Sequence, residues 1–333
     1  MSTVYSFLKL NHYIRSIRVK LFGIWMLHCM GRRYFGLFLD PVLACNLRCR
    51  MCYFSDKNKR KNMKGALKET DLPLLARAFF HRALKLQIGC GAEPSLFRHN
   101  RKLIEMAKSC RVPYISMTTN GNLFSRADIH ELVAAGLDEI TLSLHGVRRK
   151  TYEYFMPGAS FDKFLSTMEC LTEIKSGFPS FKVRLNYTVN QDNLMELQDL
   201  FSILGQYKFD ILQIRPIQQM GDTNYCNFSW NVIYDAYDRI LEPLKINCRR
   251  QGITLLMPEK EDFLKTENKD TRIVDATYFY VRQGYFWQDD FDLNTETYES
   301  YAHRKHLSWR LLKSVFSKPA KAGEKRHLNY KVN

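Results

Sequence analysis

The amino-acid sequence predicts an α/β protein built on an incomplete (β/α)6 barrel of the TIM type, a parallel sheet with N- and C-terminal extensions. Three observations carry that expectation. Short apolar runs rich in branched residues alternate with longer stretches of helical periodicity, as β-α units around parallel strands require. The residues at the boundaries of those stretches are ones that start and stop helices. The clusters of cysteine, glycine and polar residues fall just after strand ends, the edge at which parallel α/β folds bind ligands.

The runs read as strands are 36–42, 84–89, 114–119, 139–144, 182–189 and 211–216. Between them lie helical patterns near 70–81, 98–110, 125–135, 161–176 and 193–205, with another near 230–251. Thr70-Asp71-Leu72-Pro73 can cap and start the first of these, Ser125 and Asp128 have the spacing of a capping box, and Gly136 and Gly205 sit where helices should stop. A chain of 333 residues accommodates one such barrel with appendages. The expected divisions are a basic amphipathic segment over 1–35, the partial barrel over 36–250, an extension over 251–302 and a basic tail over 303–333.

The composition, 45% apolar and 25% charged, is that of a globular protein, which excludes wholesale disorder and a multi-span membrane protein. The net charge of +16 sits at the ends. Residues 1–35 carry six basic residues and no acid, and residues 303–333 carry nine against Glu324, which leaves +2 for everything between. This distribution suits either solvated ends or an anionic surface met by the termini. Leu10, Ile14, Ile17, Leu21 and Ile24 form one helical stripe with Lys9, Arg15, Arg18 and Lys20 on other faces. The stripe fits contact with a membrane surface through residues 1–35, or packing against the domain. The apolar run 21–30 is too short to span a bilayer.

Nine cysteines, odd in number and scattered apart from one cluster, point to a reducing cytoplasm rather than a disulfide framework. That cluster is Cys45-Asn-Leu-Arg-Cys49-Arg-Met-Cys52, a C-x3-C-x2-C loop. Three thiolates so close together suit a metal or an iron–sulfur cluster. A structural zinc site would need a fourth ligand, and no Cys or His follows Cys52 before His81. Three protein ligands on a cubane of four irons leave one iron open to react. The rival reading is a non-enzymatic zinc-binding module whose basic tails contact nucleic acid, but those tails lack the aromatic interleaving that stacks bases, so nucleic acid is not the expected partner.

The C-x3-C-x2-C loop after a first strand resembles the signature of the radical S-adenosylmethionine (SAM) superfamily, in a form with a single cluster and no auxiliary-cluster domain. The resemblance covers roughly residues 36 to 220 in the expected order. Gly89-Cys90-Gly91-Ala92-Glu93-Pro94 is similar to that family's GGE motif, Thr118-Thr119-Asn120-Gly121 to the turn after its third strand, and Leu142-Ser143-Leu144-His145-Gly146 to its SLDG segment. The resemblance implies a [4Fe–4S] cluster on Cys45, Cys49 and Cys52. It also implies reductive cleavage of SAM to methionine and a 5′-deoxyadenosyl radical, and hydrogen abstraction from a substrate the sequence leaves unidentified. An electron donor such as flavodoxin or ferredoxin is implied as the partner. By the same resemblance Gly91, Ala92 and Glu93 hold the ammonium of SAM, Ser143 its carboxylate or ribose, and Thr119 or Asn120 the ribose or substrate. The family's adenine contact is commonly aromatic, and here Met51 takes that place. Ala92 stands where the pattern has a second Gly.

Arg184, Asn186 and Arg215 lie on the fifth and sixth expected strands. Alternation puts Arg184 and Asn186 on one face, where they line the barrel as cofactor or substrate contacts or bond to loops at strand ends. Tyr278, Phe279, Tyr280, Tyr285, Phe286 and Trp287 read either as a capping element or as packing. Beyond residue 170 only Cys226 and Cys248 remain, too few and too scattered for a second cubane.

Overall fold

In a computed structural model of the chain, residues 14–218, 223–263 and 270–318 are described. One sheet organises them, in the order β7-β6-β5-β4-β3-β2-β1-β8-β9. The six expected strands are β1 Phe35–Asp40, β2 Ala83–Ile88, β3 Ile115–Thr119, β4 Glu139–Leu144, β5 Lys182–Val189 and β6 Ile211–Pro216. All pair in parallel, each with its neighbour in sequence. The sheet is open: among the described residues its edges β7 and β9 do not meet.

The strand sequences alternate, and that sorts the two faces. Leu37, Leu86, Met117, Ile140, Leu185 and Leu212 are fully buried beneath the helices that return from one strand to the next. The residues between them, Gln87, Ser116, Thr141, Arg184, Asn186 and Gln213, face the concave lumen. A parallel sheet usually carries apolar side chains on both faces; the polar lumen here marks space kept for ligands.

Local chemistry sets the helix ends. Ser125 and Asp128 form the expected capping box of the helix Arg126–Ala134. That helix stops at Gly136, whose φ of +110° suits glycine, and Leu200–Leu204 stops at Gly205. Thr70 makes no capping bond with its side chain. Asp71 does the work at that end by accepting from the Lys68 amide at 2.7 Å, and the helix it opens continues as a π-wound stretch over Ala76–Phe80.

The architecture exceeds the expected six strands. Thr254–Leu256 adds β7 beside β6, and Tyr278–Arg282 returns across the molecule as β8, parallel to β1, followed by the antiparallel β9 at Tyr285–Phe286. The aromatic run 278–287 is therefore part of the sheet. Phe279 stacks between Phe35 and Trp287, with ring centroids 3.9 and 4.0 Å apart.

The N-terminal helix Ile17–Cys29 turns its expected stripe inward: Leu21 is fully buried and Ile24 packs on the core. Leu10 and Lys9 lie outside the described residues, as does the tail from 319. The helix is fastened by Nε1 of Trp25 donating to Ser308 at 3.3 Å and by His28 against the Tyr298 hydroxyl at 2.8 Å. Among the described residues no helix is long and apolar enough to cross a membrane.

Candidate functional site

The carboxyl ends of β1 to β6 surround a cleft of about 1080 Å³, solvent mouth included. Cys45, Cys49, Cys52, Met51, Gly91, Ala92, Glu93, Thr119, Asn120 and Ser143 all line it. Arg184 does not. It lies deeper in the lumen, its guanidinium 2.8 Å from Glu139 and donating to Gln213 at 3.0 Å.

The cysteine loop leaves β1 and is held by its backbone. The amides of Arg48 and Arg50 donate to the carbonyls of Pro157 and Phe155 at 3.0 and 2.9 Å, and Leu47 is fully buried as an anchor. The Leu47 amide also donates to Sγ of Cys45 at 3.4 Å. The thiols sit against apolar groups and against one another. Burial pushes Cys45 up to about 12, Glu93 nearby adding to the rise, and raises Cys49 and Cys52 as well; the neighbouring thiols raise Cys49 further.

Glu93 is buried and accepts four hydrogen bonds, from the Ser95 amide and hydroxyl at 3.1 and 2.7 Å, the Thr119 hydroxyl at 2.6 Å and the Asn120 amide at 2.9 Å. Burial raises its pKa against the pull of those donors. One carboxylate thus ties the loop after β2 to the turn after β3. Asn120 in turn donates to Asn46 in the cysteine loop at 2.8 Å, so three of the four clusters form one network.

Sequence reasoning missed the residue that shapes the Gly89–Glu93 loop. Asp40, the last residue of β1, is buried and accepts from the amides of Cys90 at 2.7 Å, Gly91 at 3.0 Å and Ala92 at 3.3 Å. Tyr280 of β8 donates to its other oxygen at 2.7 Å, and Tyr53 donates to the Gly91 carbonyl. An acid at the carboxyl end of a strand, five residues before Cys45, was a usable signal. Tyr280, 240 residues away, gave none.

Two glycines in this loop answer to geometry. Gly89 has φ +76°, and a Cβ there would lie 2.5 Å from the Thr118 carbonyl oxygen; a Cβ on Gly91 would collide with the Tyr53 hydroxyl. Gly89→Ala is expected to cost about 3 kcal/mol in chemical denaturation from combined strain and overlap. Gly252→Ala, at φ +69° with nothing within 4 Å, should cost about 1 kcal/mol.

The remaining wall holds Met51 and His145. Met51 packs with Phe155 and Ile217, and its sulfur accepts from Asn190 at 3.5 Å. Burial beside Arg215 holds His145 neutral, lowering it to about 4. Unfolded histidine titrates near 6.5, so the unfolded chain binds the extra proton first. The stability tied to neutral His145 is therefore present above pH 6.5 and lost as pH falls toward 4. Thermal melts between pH 7 and 4.5 should decline, and His145→Gln should flatten that decline.

Residues 40–201 match the radical SAM superfamily. The chain carries a radical SAM domain over those residues. Its curated relatives include probable GTP 3′,8-cyclases: that of Saccharolobus solfataricus is 28% identical over 198 residues, 58% of this chain and 61% of that one, and that of Sulfurisphaera tokodaii is 24% identical over 217 residues, 65% and 66%. The radical SAM chain thus spans about three fifths of the length of the first of these. Among solved structures, Streptococcus suis SuiB bound to S-adenosylmethionine superposes with a TM-score of 0.60 at 15% identity over 77% of this chain and 60% of that one. Native anSMEcpe with bound AdoMet gives 0.59 at 16% over 85% and 84%. At those identities the likeness shows the fold.

The cofactors of radical SAM proteins are a [4Fe–4S] cluster and SAM, and the side chains present fit both. Three half-buried thiols whose protons burial retains are poised to exchange them for iron. Three thiols from one short loop line the same cleft, and three cysteines on a cubane of four irons leave one iron open to bind SAM.

Proposed function

We propose that this radical SAM protein is an enzyme that cleaves SAM reductively and abstracts hydrogen from a polar substrate. The observation that carries the reading is the convergence of Cys45, Cys49 and Cys52 with Glu93 and the Gly89–Glu93 loop on one cleft. Cys45, Cys49 and Cys52 would hold a [4Fe–4S] cluster, which when bound would supply the electron for reductive cleavage of the C5′–S bond of SAM to methionine and a 5′-deoxyadenosyl radical able to take a hydrogen atom from the substrate. Glu93 accepts from the SAM ammonium, with backbone groups of Gly91 and Ala92 beside it and Asp40 holding their amides in place. Met51 packs on the adenine, its soft thioether in place of an aromatic ring. Ser143, Thr119 and Asn120 bond the ribose and carboxylate.

The lumen below supports a hydrogen-bonding substrate. Its floor is bonded internally, with Arg184 joined to Glu139 and Gln213 and Ser116 donating to Gln87 at 2.6 Å. Higher up, Nδ1 of His145 and Oδ1 of Asn186 are buried without a hydrogen-bond partner among the described residues, and a substrate with a donor and an acceptor would satisfy both. The relatives' GTP cyclisation is one polar-substrate reaction of this class.

The electron donor is a flavodoxin or ferredoxin in a reducing cytoplasm, the catalytic unit is the barrel of residues 36–250 closed on one side by β8, and the chain carries one cluster. The test is anaerobic reconstitution with iron and sulfide, then dithionite and SAM. About four irons per chain with 5′-deoxyadenosine formed, or formed once a polar substrate is added, is the expected result; stoichiometric zinc without SAM cleavage overturns it.

A further inference from the structure

We infer that the outward face of two packed terminal helices is a docking surface for an anionic lipid membrane. The helix Ile17–Cys29 is apolar on both sides. Its inward stripe is buried, as described, yet Val19, Phe22, Met26 and Met30, spaced three, four and four apart, stay exposed on the opposite side. Leu307–Phe316, the last described helix, packs alongside through Ser308, which meets both Trp25 and Cys29 at 3.3 Å. On it Trp309 is 65% exposed and Phe316 73% exposed, one face apart by seven residues.

Two packed helices that each keep large apolar side chains exposed are not what a solvated surface needs. Its residue types match the boundary between headgroups and acyl chains, where Trp and Phe seat and Met adapts. The charge around it names the occupant. Residues 14–35 include Arg15, Arg18, Lys20 and Arg32, residues 303–318 include Arg310 and Lys313, and neither stretch contains an acid. Basic residues flanking an apolar face attract anionic lipid headgroups. The sequence beyond both helices adds Lys9 on one side and Lys321, Lys325, Arg326 and Lys331 on the other. A second protein would more usually present mixed charges and hydrogen-bonding edges to such a rim. The helix of 13 residues is too short to span, so the chain lies on the surface.

The surface that docks is the reverse of the stripe predicted from sequence, and it is independent of the cleft. The test is co-sedimentation of the full chain with phosphatidylcholine vesicles, with and without phosphatidylglycerol, at low and high salt. Binding to the anionic vesicles, weakened by salt and weakened at least tenfold in Trp309→Ser/Phe316→Ser, is expected. Phe22→Ser/Met26→Ser should act alike, with the melting temperature of both variants checking their fold. Absence of binding overturns the inference. So does binding that the apolar variants leave intact, or a dimer in light scattering that these variants dissolve, which would make the patch an interface between copies.

Discussion

Cys49→Ala, reconstituted without oxygen, is expected to hold almost no iron and to form 5′-deoxyadenosine at the background of a mixture without enzyme. The loop places three thiols at the cleft, so removing one leaves two of its cysteines for four irons. The change should cost the fold little. Cys49 is only half-buried, and losing its sulfur costs about 1 kcal/mol or less, as for small truncations at partly open sites. The melting temperature of the metal-free variant should therefore stay near that of the wild type while iron and nucleoside vanish together. A variant that still cleaved SAM would sink the assignment of Cys49 as a ligand.

Asp40→Ala should show the second largest effect, through the loop after β2. Its carboxylate satisfies three consecutive amides in a buried site, and removing it strands them at about 1 to 3 kcal/mol for an unmet buried donor. The loop is expected to shift, lowering stability by about 3 kcal/mol and weakening SAM binding about 100-fold, since each factor of ten is worth about 1.4 kcal/mol. Calorimetric titration of the reconstituted protein with SAM, beside denaturant unfolding, separates the two losses. Tyr280→Phe removes one bond to the same carboxylate and should cost about 1 kcal/mol with little change in SAM binding. Wild-type affinity in Asp40→Ala would show that the loop holds its shape without that acid.

Much of this was legible because the strands alternate. In β4, β5 and β6 the branched apolar residues recur every second position, and their predicted bounds coincide with the observed ones. The cleft was legible because its residues sit in short local motifs, each attached to a strand end. Long-range pairing was not legible. Nothing local marks Tyr278–Arg282 as the partner of β1, for its aromatic alternation fits packing anywhere. Alternation put Arg184 and Asn186 on one face, but the depth of Arg184 depends on Glu139 and Gln213 from neighbouring strands, a relation set by register. The stretch from Thr70 to Pro73 starts a helix as read, with Thr70 at the N-cap position, but the side-chain bond there is made by Asp71 to the Lys68 amide. The N-terminal stripe had two readings, and packing on the core decided for the bland one.

The position of β8 beside β1 also sets a schedule for synthesis. At about 5 to 20 residues per second, the 240 residues between Asp40 and Tyr280 take roughly 10 to 50 seconds to emerge. Throughout that time the outer edge of β1 has no neighbour and the acid that holds the loop lacks its tyrosine. The three thiols emerge on a half-built sheet and wait for a strand made long after them before their surroundings are complete.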